Sequence, residues 1–285
     1  MSSPVANPNE ARSSPAMTVS AIVPARNEAP CIAAVVRDLL AQRSARGEPL
    51  LLEVIVADNG STDGTARIAR DAGACVIDVP QAGYGRACWE AVRASRGEVL
   101  LFVDGDGAAD PQDAGALLAG LAHGADLVIG VRQTPDPGAM TAAQRFGNGL
   151  ACLLMRLLWR MPVTDLGPHR AIRRDAFDAL EMHDRGFGWT VEMQVRAHVL
   201  GLCVAQLPVR WHARSGGVSK ISGRLRGVVG AGLGILGMIA RLWWRERRRP
   251  LIALAAPHPV PSPHLSRPGP GPALICPTPT EGAFP

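Results

Sequence analysis

Lysine is almost missing from this 285-residue chain: Lys220 is the single one among 30 basic residues. Arginine supplies every other cation, and with the abundant Ala and Gly this points to a GC-rich coding bias. Lys220 is then either a place where a compact ammonium is wanted or a product of drift. Paired cysteines are missing too. Cys31, Cys75, Cys88, Cys152, Cys203 and Cys276 include no C-x-x-C, which excludes a zinc ribbon or a dense disulfide frame. The first five lie in apolar runs and are expected to be reduced core residues. No carboxylate–histidine spacing suits zinc, so His169, His198 and His212 are expected to be structural or surface residues. Met1 to Ala16 is polar, with no apolar core of a signal peptide, and is expected to be a disordered leader. No apolar run reaches the ~20 residues that a membrane span needs. The net charge of +5 is modest, and its basic cluster, Arg241, Arg245, Arg247, Arg248 and Arg249, suits a local anionic partner rather than a nucleic-acid groove.

What is present is a core. Hydrophobic residues make up 47% of the chain, enough for one α/β domain with appendages. Strands and helices alternate through the first half. Strands are expected at Thr18–Pro24, Leu51–Ala57, Ala74–Val79, Glu98–Val103 and Asp126–Ile129. Helices are expected at Pro30–Ala41, from Thr65, at Gly85–Ser95 and at Pro111–Leu121. This alternation predicts a mostly parallel, doubly wound sheet flanked by helices. Thr141–Arg160 and Trp189–Leu200 read as further helices, and Cys203–Val209 as a strand. Val228–Ala240 with Trp243-Trp244 and its arginines fits an amphipathic helix in a membrane interface, or a terminal helix packed on the domain. Eleven of the 24 prolines fall within residues 250–285, so that tail is expected to be disordered. The organisation is a leader at 1–16, a domain at 17–226, a helix with its basic run at 227–249 and the tail at 250–285.

Ligands of such sheets bind at the carboxyl ends of the strands, and polar residues gather there: Arg26-Asn27-Glu28, Asp58-Asn59 and Asp104-Gly105-Asp106. Two carboxylates one residue apart can share one hard cation, and Gly105 would let a ligand approach the backbone. The alternative is a solvated acidic turn. In Asp58–Thr65 (DNGSTDGT), Asp58 can accept from a base N–H, and Asn59 and Ser61 can reach ribose or phosphate. Asp63 or Thr65 can cap the next helix, as they would in a turn without ligand.

Taken in order, PARNE at 24–28, DNGSTDGT at 58–65 and DGDGAADP at 104–111 resemble the signatures of family 2 glycosyltransferases of the GT-A fold. Within that family the chain is similar to polyprenyl-phosphate sugar synthases, through Arg132, RFGN at 145–148, DLGPHR at 165–170 and WTVE at 189–192. The resemblance covers about residues 18 to 226. It implies a GT-A-type, Rossmann-like sheet and a nucleotide-diphosphate sugar as donor. Pro24, Arg26, Glu28, Asp58, Asn59 and Ser61 would line the nucleotide pocket. Asp104 and Asp106 would hold Mg²⁺ or Mn²⁺, with Asp106 the principal ligand. Arg132 and Arg145 would meet phosphate oxygens, and Glu192 would face donor sugar or acceptor. Lys220 would belong to a loop, Gly217 to Lys220, closing over the site. The implied acceptor is a polyprenyl phosphate at the cytosolic membrane face, reached through residues 228–249, with inversion at the anomeric carbon. An anionic acceptor needs no strong base; a hydroxyl acceptor would make Glu192 or Asp165 the candidate. The sequence departs from the pattern at Ala108, where some relatives place a metal-contacting Gln, and at His169, where an aromatic is common. A sugar nucleotidyltransferase would share sheet and metal, but its glycine-rich phosphate loop is missing from PARNEAP. An inactive nucleotide-binding partner is the remaining alternative.

Overall fold

The computed structural model describes residues 17–44, 46–132, 136–214, 216, 225–247 and 274–275. The leader, most of the tail, and Gly217 to Lys220 lie outside the described residues. Among the described residues, eight strands form one sheet: β1 (Val19–Ala25), β2 (Glu53–Asp58), β3 (Cys75–Asp78), β4 (Val99–Phe102), β5 (Leu127–Val131), β6 (Arg170–Arg173), β7 (Val204–Pro208) and β8 (Leu274–Ile275). Their order is β3-β2-β1-β4-β6-β5-β7-β8. Strands β1 to β4 pair in parallel, as do β5 and β7. The strand β6 slots antiparallel between β4 and β5.

The helices are α1 (Ile32–Leu40), α2 (Thr65–Asp71), α3 (Tyr84–Ala94), α4 (Ala114–Ala122), α5 (Ala142–Trp159), α6 (Arg174–Ala179), α7 (Trp189–Val199) and α8 (Leu225–Arg247). They cover both faces of the sheet because the central strands are apolar on both faces. From β1, Ala21 and Val23 pack with α1 and α4, while Ile22 packs with α3 and α7. A third cluster joins Met155 of α5, Val191 and Val195 of α7, and Met238, Ile239 and Leu242 of α8.

Three expectations need correction. A single 3-10 turn, Pro111–Asp113, replaces the start of the helix expected at Pro111–Leu121. Cys75 is exposed on β3, at the edge of the parallel strands, and Cys203 is disulfide-bonded; Cys31, Cys88 and Cys152 are buried. Strand β8 lies within the proline-rich stretch and pairs with Val204 and Ala205. The apolar segment around residue 228 is part of one 23-residue helix, α8, and no helix among the described residues is long and apolar enough to cross a membrane.

Candidate active site

The parallel order places the ends of β1, β2 and β4 side by side, so their three polar loops share one cleft. Backbone-directed hydrogen bonds stitch the first two loops together. Ser61 Oγ accepts from Asn27 N at 2.8 Å, and Thr62 N donates to Asn27 Oδ1 at 2.7 Å. Glu28 N donates to Thr65 Oγ1 at 2.8 Å, and Ala29 N to Asp63 Oδ2 at 3.1 Å. Burial pulls the Asp63 pKa up, but donation from Thr65 Oγ1 at 2.5 Å, then from Ala29 N and Thr65 N, holds it below its ordinary value. Asn27 adopts a left-handed conformation (φ 51°), which asparagine tolerates better than most residues.

This stitching reassigns some candidates. Asn59 spends its amide on Val79 and Gln81 carbonyls, at 2.9 and 2.8 Å, and on Gly83 N at 2.9 Å. It braces the β3–α3 connection rather than reaching for ribose. Ser61 likewise has Asn27 N as its partner. Asp58 differs: Oδ2 accepts from Ser61 N at 3.3 Å, but the buried Oδ1 has no hydrogen-bond partner among the described residues. Such an atom costs about 1–3 kcal/mol unless something donates to it.

Beyond β4, Asp104 and Asp106 are half-buried. Asp104 Oδ1 accepts from the Tyr84 hydroxyl at 3.0 Å. Burial, and then the neighbouring charge of Asp106, push the Asp104 carboxyl up to about 7, against the pull of Tyr84, Arg132 and Arg170. Asp106 is also raised, mainly by burial, although Ala108 N donates to it at 3.0 Å and Arg214 approaches at 3.1 Å. Gly105 has a different reason from the one expected. A Cβ there would press on Ala25 Cβ at 3.2 Å and Ile32 Cδ1 at 3.3 Å, so its smallness serves packing of the acidic loop onto β1 and α1.

No set of three or more His, Cys, Asp or Glu among the described residues forms a metal cage. Two electrostatically strained carboxylates facing one cleft nevertheless fit a hard cation whose other ligands come from phosphate and water, the usual arrangement for Mg²⁺.

The opposite wall is built from arginines. Arg132, just past β5, pairs with buried Asp165 through Nη2–Oδ1 at 2.6 Å and Nε–Oδ2 at 2.9 Å, and lies over the Trp211 ring at 5.2 Å. The pairing holds Asp165 below the usual carboxylate range in spite of burial. Asn148 Oδ1 accepts from Arg132 at 3.3 Å and from Leu166 N at 3.0 Å. A cavity of about 360 Å³ is lined by Val131, Arg132, Met140, Arg145, Asn148, Thr164 and Asp165. Arg145 donates to the Met140 carbonyl at 2.8 Å, which uses one of its five donors.

Glu192 is buried, and its carboxylate accepts from His183 N at 3.0 Å and Asp184 N at 2.7 Å. It therefore anchors the 183–188 loop. That loop holds the start of α3 through Gly186 O and Arg185 O, which accept from Gly85 and Arg86 N at 3.0 and 3.1 Å. A Cβ on Gly85 would lie 2.6 Å from Asp184 O. Tyr84 is thereby set against Asp104.

Sequence reasoning missed Tyr84, Trp211 and Arg214, and gave Arg170 no role beyond its place in the DLGPHR motif. Arg170 is fully buried, donates to the Gly167 and Leu166 carbonyls, and keeps its charge although burial draws its pKa down to about 10. His169 is fully buried, and both ring nitrogens lack a hydrogen-bond partner among the described residues; burial lowers its pKa to about 4. It cannot touch an acceptor there. Ala108 is also buried. Arg26, at the end of β1, is exposed. Lys220 lies outside the described residues.

Residues 20–180 match the model of the family described as Glycosyl transferase family 2. An uncharacterised glycosyltransferase of Mycobacterium bovis is 36% identical over 211 residues, covering 74% of this chain and 93% of the relative. The undecaprenyl-phosphate mannosyltransferase of Micrococcus luteus is 30% identical over 213 residues, covering 69% and 86%. Among solved structures, glucosyl-3-phosphoglycerate synthase of Mycobacterium tuberculosis, crystallised with Mn²⁺, UDP and glucosyl-3-phosphoglycerate, superposes with TM-score 0.61 at 24% identity, covering 79% of this chain and 80% of that one. The likeness at that identity is one of fold.

Proposed function

The chain belongs to glycosyl transferase family 2, and from that premise we propose that it moves a hexose from a nucleoside-diphosphate sugar to a polyprenyl phosphate. The observation that carries the acceptor class is the arginine-lined cavity: Arg132 and Arg145 at the mouth of β5 suit an anionic head group. The relative named as an undecaprenyl-phosphate mannosyltransferase supports the same class.

On the donor side, Asp58 Oδ1 awaits an N–H, as the edge of a uracil or guanine ring supplies. Pro24 and Glu28 border that pocket, with Arg26 at its exposed margin. Asp104 and Asp106 would hold Mg²⁺ or Mn²⁺, which would offset charge on the departing diphosphate. An acceptor phosphate oxygen, oriented by Arg132 and Arg145, forms the new bond to the anomeric carbon. The bond from that carbon to the diphosphate oxygen breaks, its electron pair stays with the nucleotide, and in-line geometry inverts the centre. The nucleophile is already ionised, so no base is required. That suits the site: Glu192 is committed to backbone amides and Asp165 to Arg132.

The lipid is met at the membrane surface, in our reading at its cytosolic face. Helix α8 packs Met238, Ile239 and Leu242 inward but exposes Leu233 (66%) and Trp244 (56%). Helix α5 adds exposed Phe146, Leu153 and Leu157. Apolar side chains beside Arg241 and Arg245 match an interfacial helix. The two readings of this segment in the sequence are thus compatible, since one face packs and the other is exposed.

The test is transfer of labelled sugar from UDP- and GDP-sugars, with Mn²⁺, to polyprenyl phosphate in vesicles and to a soluble hydroxyl acceptor such as 3-phosphoglycerate. Label entering the lipid extract supports the proposal. Transfer to the soluble acceptor alone overturns the acceptor assignment, and hydrolysis without transfer to either overturns the function.

A further inference from the structure

The segment after β7 carries a basic residue at every second position, Arg210, His212 and Arg214, and each meets acids across the cleft. Arg210 pairs with Asp113 at 3.1 Å and Asp110 at 3.0 Å. His212 pairs with Asp136 at 2.8 Å. Arg214 reaches Asp106 Oδ2 through Nη1 at 3.1 Å and Glu28 Oε2 through Nη2. The backbone beneath them is fixed. His212 N donates to Ala108 O at 2.8 Å, Trp211 bridges Ala109, and Cys31 Sγ contacts Gly216 O at 3.5 Å. This strand-like stretch therefore runs along the acidic loop and ends at the start of α1, with Arg214 over the carboxylates.

Of the three alternating basic residues, Arg214 alone touches a carboxylate proposed to hold the metal. Asp106 Oδ1 is taken by Ala108 N, so Oδ2 is the oxygen most open to a cation, and Oδ2 is where Arg214 sits. A guanidinium and a divalent ion cannot share that oxygen at close range without mutual repulsion, which is large where water is scarce. Removing the guanidinium without replacement would leave Glu28 and Asp106 facing each other uncompensated.

Building on the metal site proposed above, we propose that Arg214 is the resident counter-cation of the metal-free site, and that metal entry displaces it from Asp106. Arg214 is a positioning residue on this account: it keeps the acidic cleft folded and charge-balanced before the donor arrives, and sets the threshold for metal binding. Binding of the ion exchanges one cation for another at Oδ2 and releases the Arg214 side chain from Asp106, while the backbone bonds at Trp211 and His212 stay in place.

The test is Mn²⁺ binding alone, by titration calorimetry at constant pH, to the wild type and to Arg214→Gln and Arg214→Lys. The expected result is Mn²⁺ binding about tenfold tighter in Arg214→Gln, as removal of one nearby screened charge implies, with Arg214→Lys close to wild type. Equal or weaker binding in a folded Arg214→Gln overturns the inference. Hydrogen exchange on the wild type gives a second readout that needs no variant. Exchange at the Arg214 amide should rise on adding Mn²⁺ while His212, bonded to Ala108 O, stays protected, and unchanged protection at Arg214 at saturating metal overturns the proposal. Mn²⁺ heat in the wild type that Arg214→Gln does not alter removes this inference alone. No Mn²⁺ binding to any of the proteins removes the metal site and this inference together.

Discussion

The wall of the cleft built from residues 24–29 with 58–65, the nucleotide side on the proposed function, differs in kind from the opposite wall, Arg132 and Asp165 with Arg210 to Arg214. The first is set by short side-chain-to-backbone hydrogen bonds, four of which join the two loops. Each is worth about 1 kcal/mol, and together they prebuild a shape while leaving Asp58 Oδ1 unspent. The second wall is set by ion pairs among arginines and carboxylates. Such pairs can exchange partners when a phosphate or a metal arrives. On the proposed function, the rigid wall would read the donor and the re-pairable wall would accommodate charge that comes and goes.

The contrast is broken most severely at the acidic pair. Asp106→Ala should lower sugar transfer at least about 10³-fold, the scale for losing a main electrostatic stabiliser of a transition state. Its melting temperature should change little, as an assay paired with thermal unfolding will check. Next comes Arg132→Ala, which strands the buried Asp165 carboxylate. Destabilisation of about 3 kcal/mol is expected, measured by urea unfolding, and Asp165→Asn in the same background should recover part of it.

A third prediction concerns pH. His169 has a folded pKa near 4 against about 6.5 in an unfolded chain. The unfolded state therefore binds more protons between these values, and stability rises with pH there. This contribution is complete above about pH 6.5 and is lost as pH falls towards 4, by about 3 kcal/mol in all. Denaturant unfolding from pH 7 to 4 should show the slope, and His169→Phe should flatten it. The smallest effect is expected at Tyr84→Phe. Loss of its hydrogen bond to Asp104 should cost about 1 kcal/mol and raise the Asp104 pKa further. Mn²⁺ titrations should then show weaker binding at pH 7 that recovers at higher pH.

Much of the first wall was legible in the sequence. Buried parallel strands such as β1 (VSAIVPA) and β2 (EVIVAD) produce apolar runs whose polar ends mark the cleft. The second wall was harder to read. Strand β6 reads RAIR, and arginine argues against a central strand; Arg170 is buried because nearby carbonyls satisfy its guanidinium. The importance of Tyr84 depends on a loop 100 residues later that seats α3, though its being the only tyrosine was a signal. Arg214 was marked only by the alternation Arg210, His212, Arg214, whose meaning depends on which acids lie across the cleft. Glu192 sits at a family motif, but its partners are backbone amides that no motif reveals.

Calorimetric binding of UDP and GDP, with Mn²⁺ and with chelator, to the wild type and Asp106→Asn tests the central claim most directly. The account predicts that Mn²⁺ tightens one of these nucleotides at least about tenfold in the wild type and does nothing in the variant. Equal nucleotide affinity with Mn²⁺ and with chelator in the wild type would contradict it.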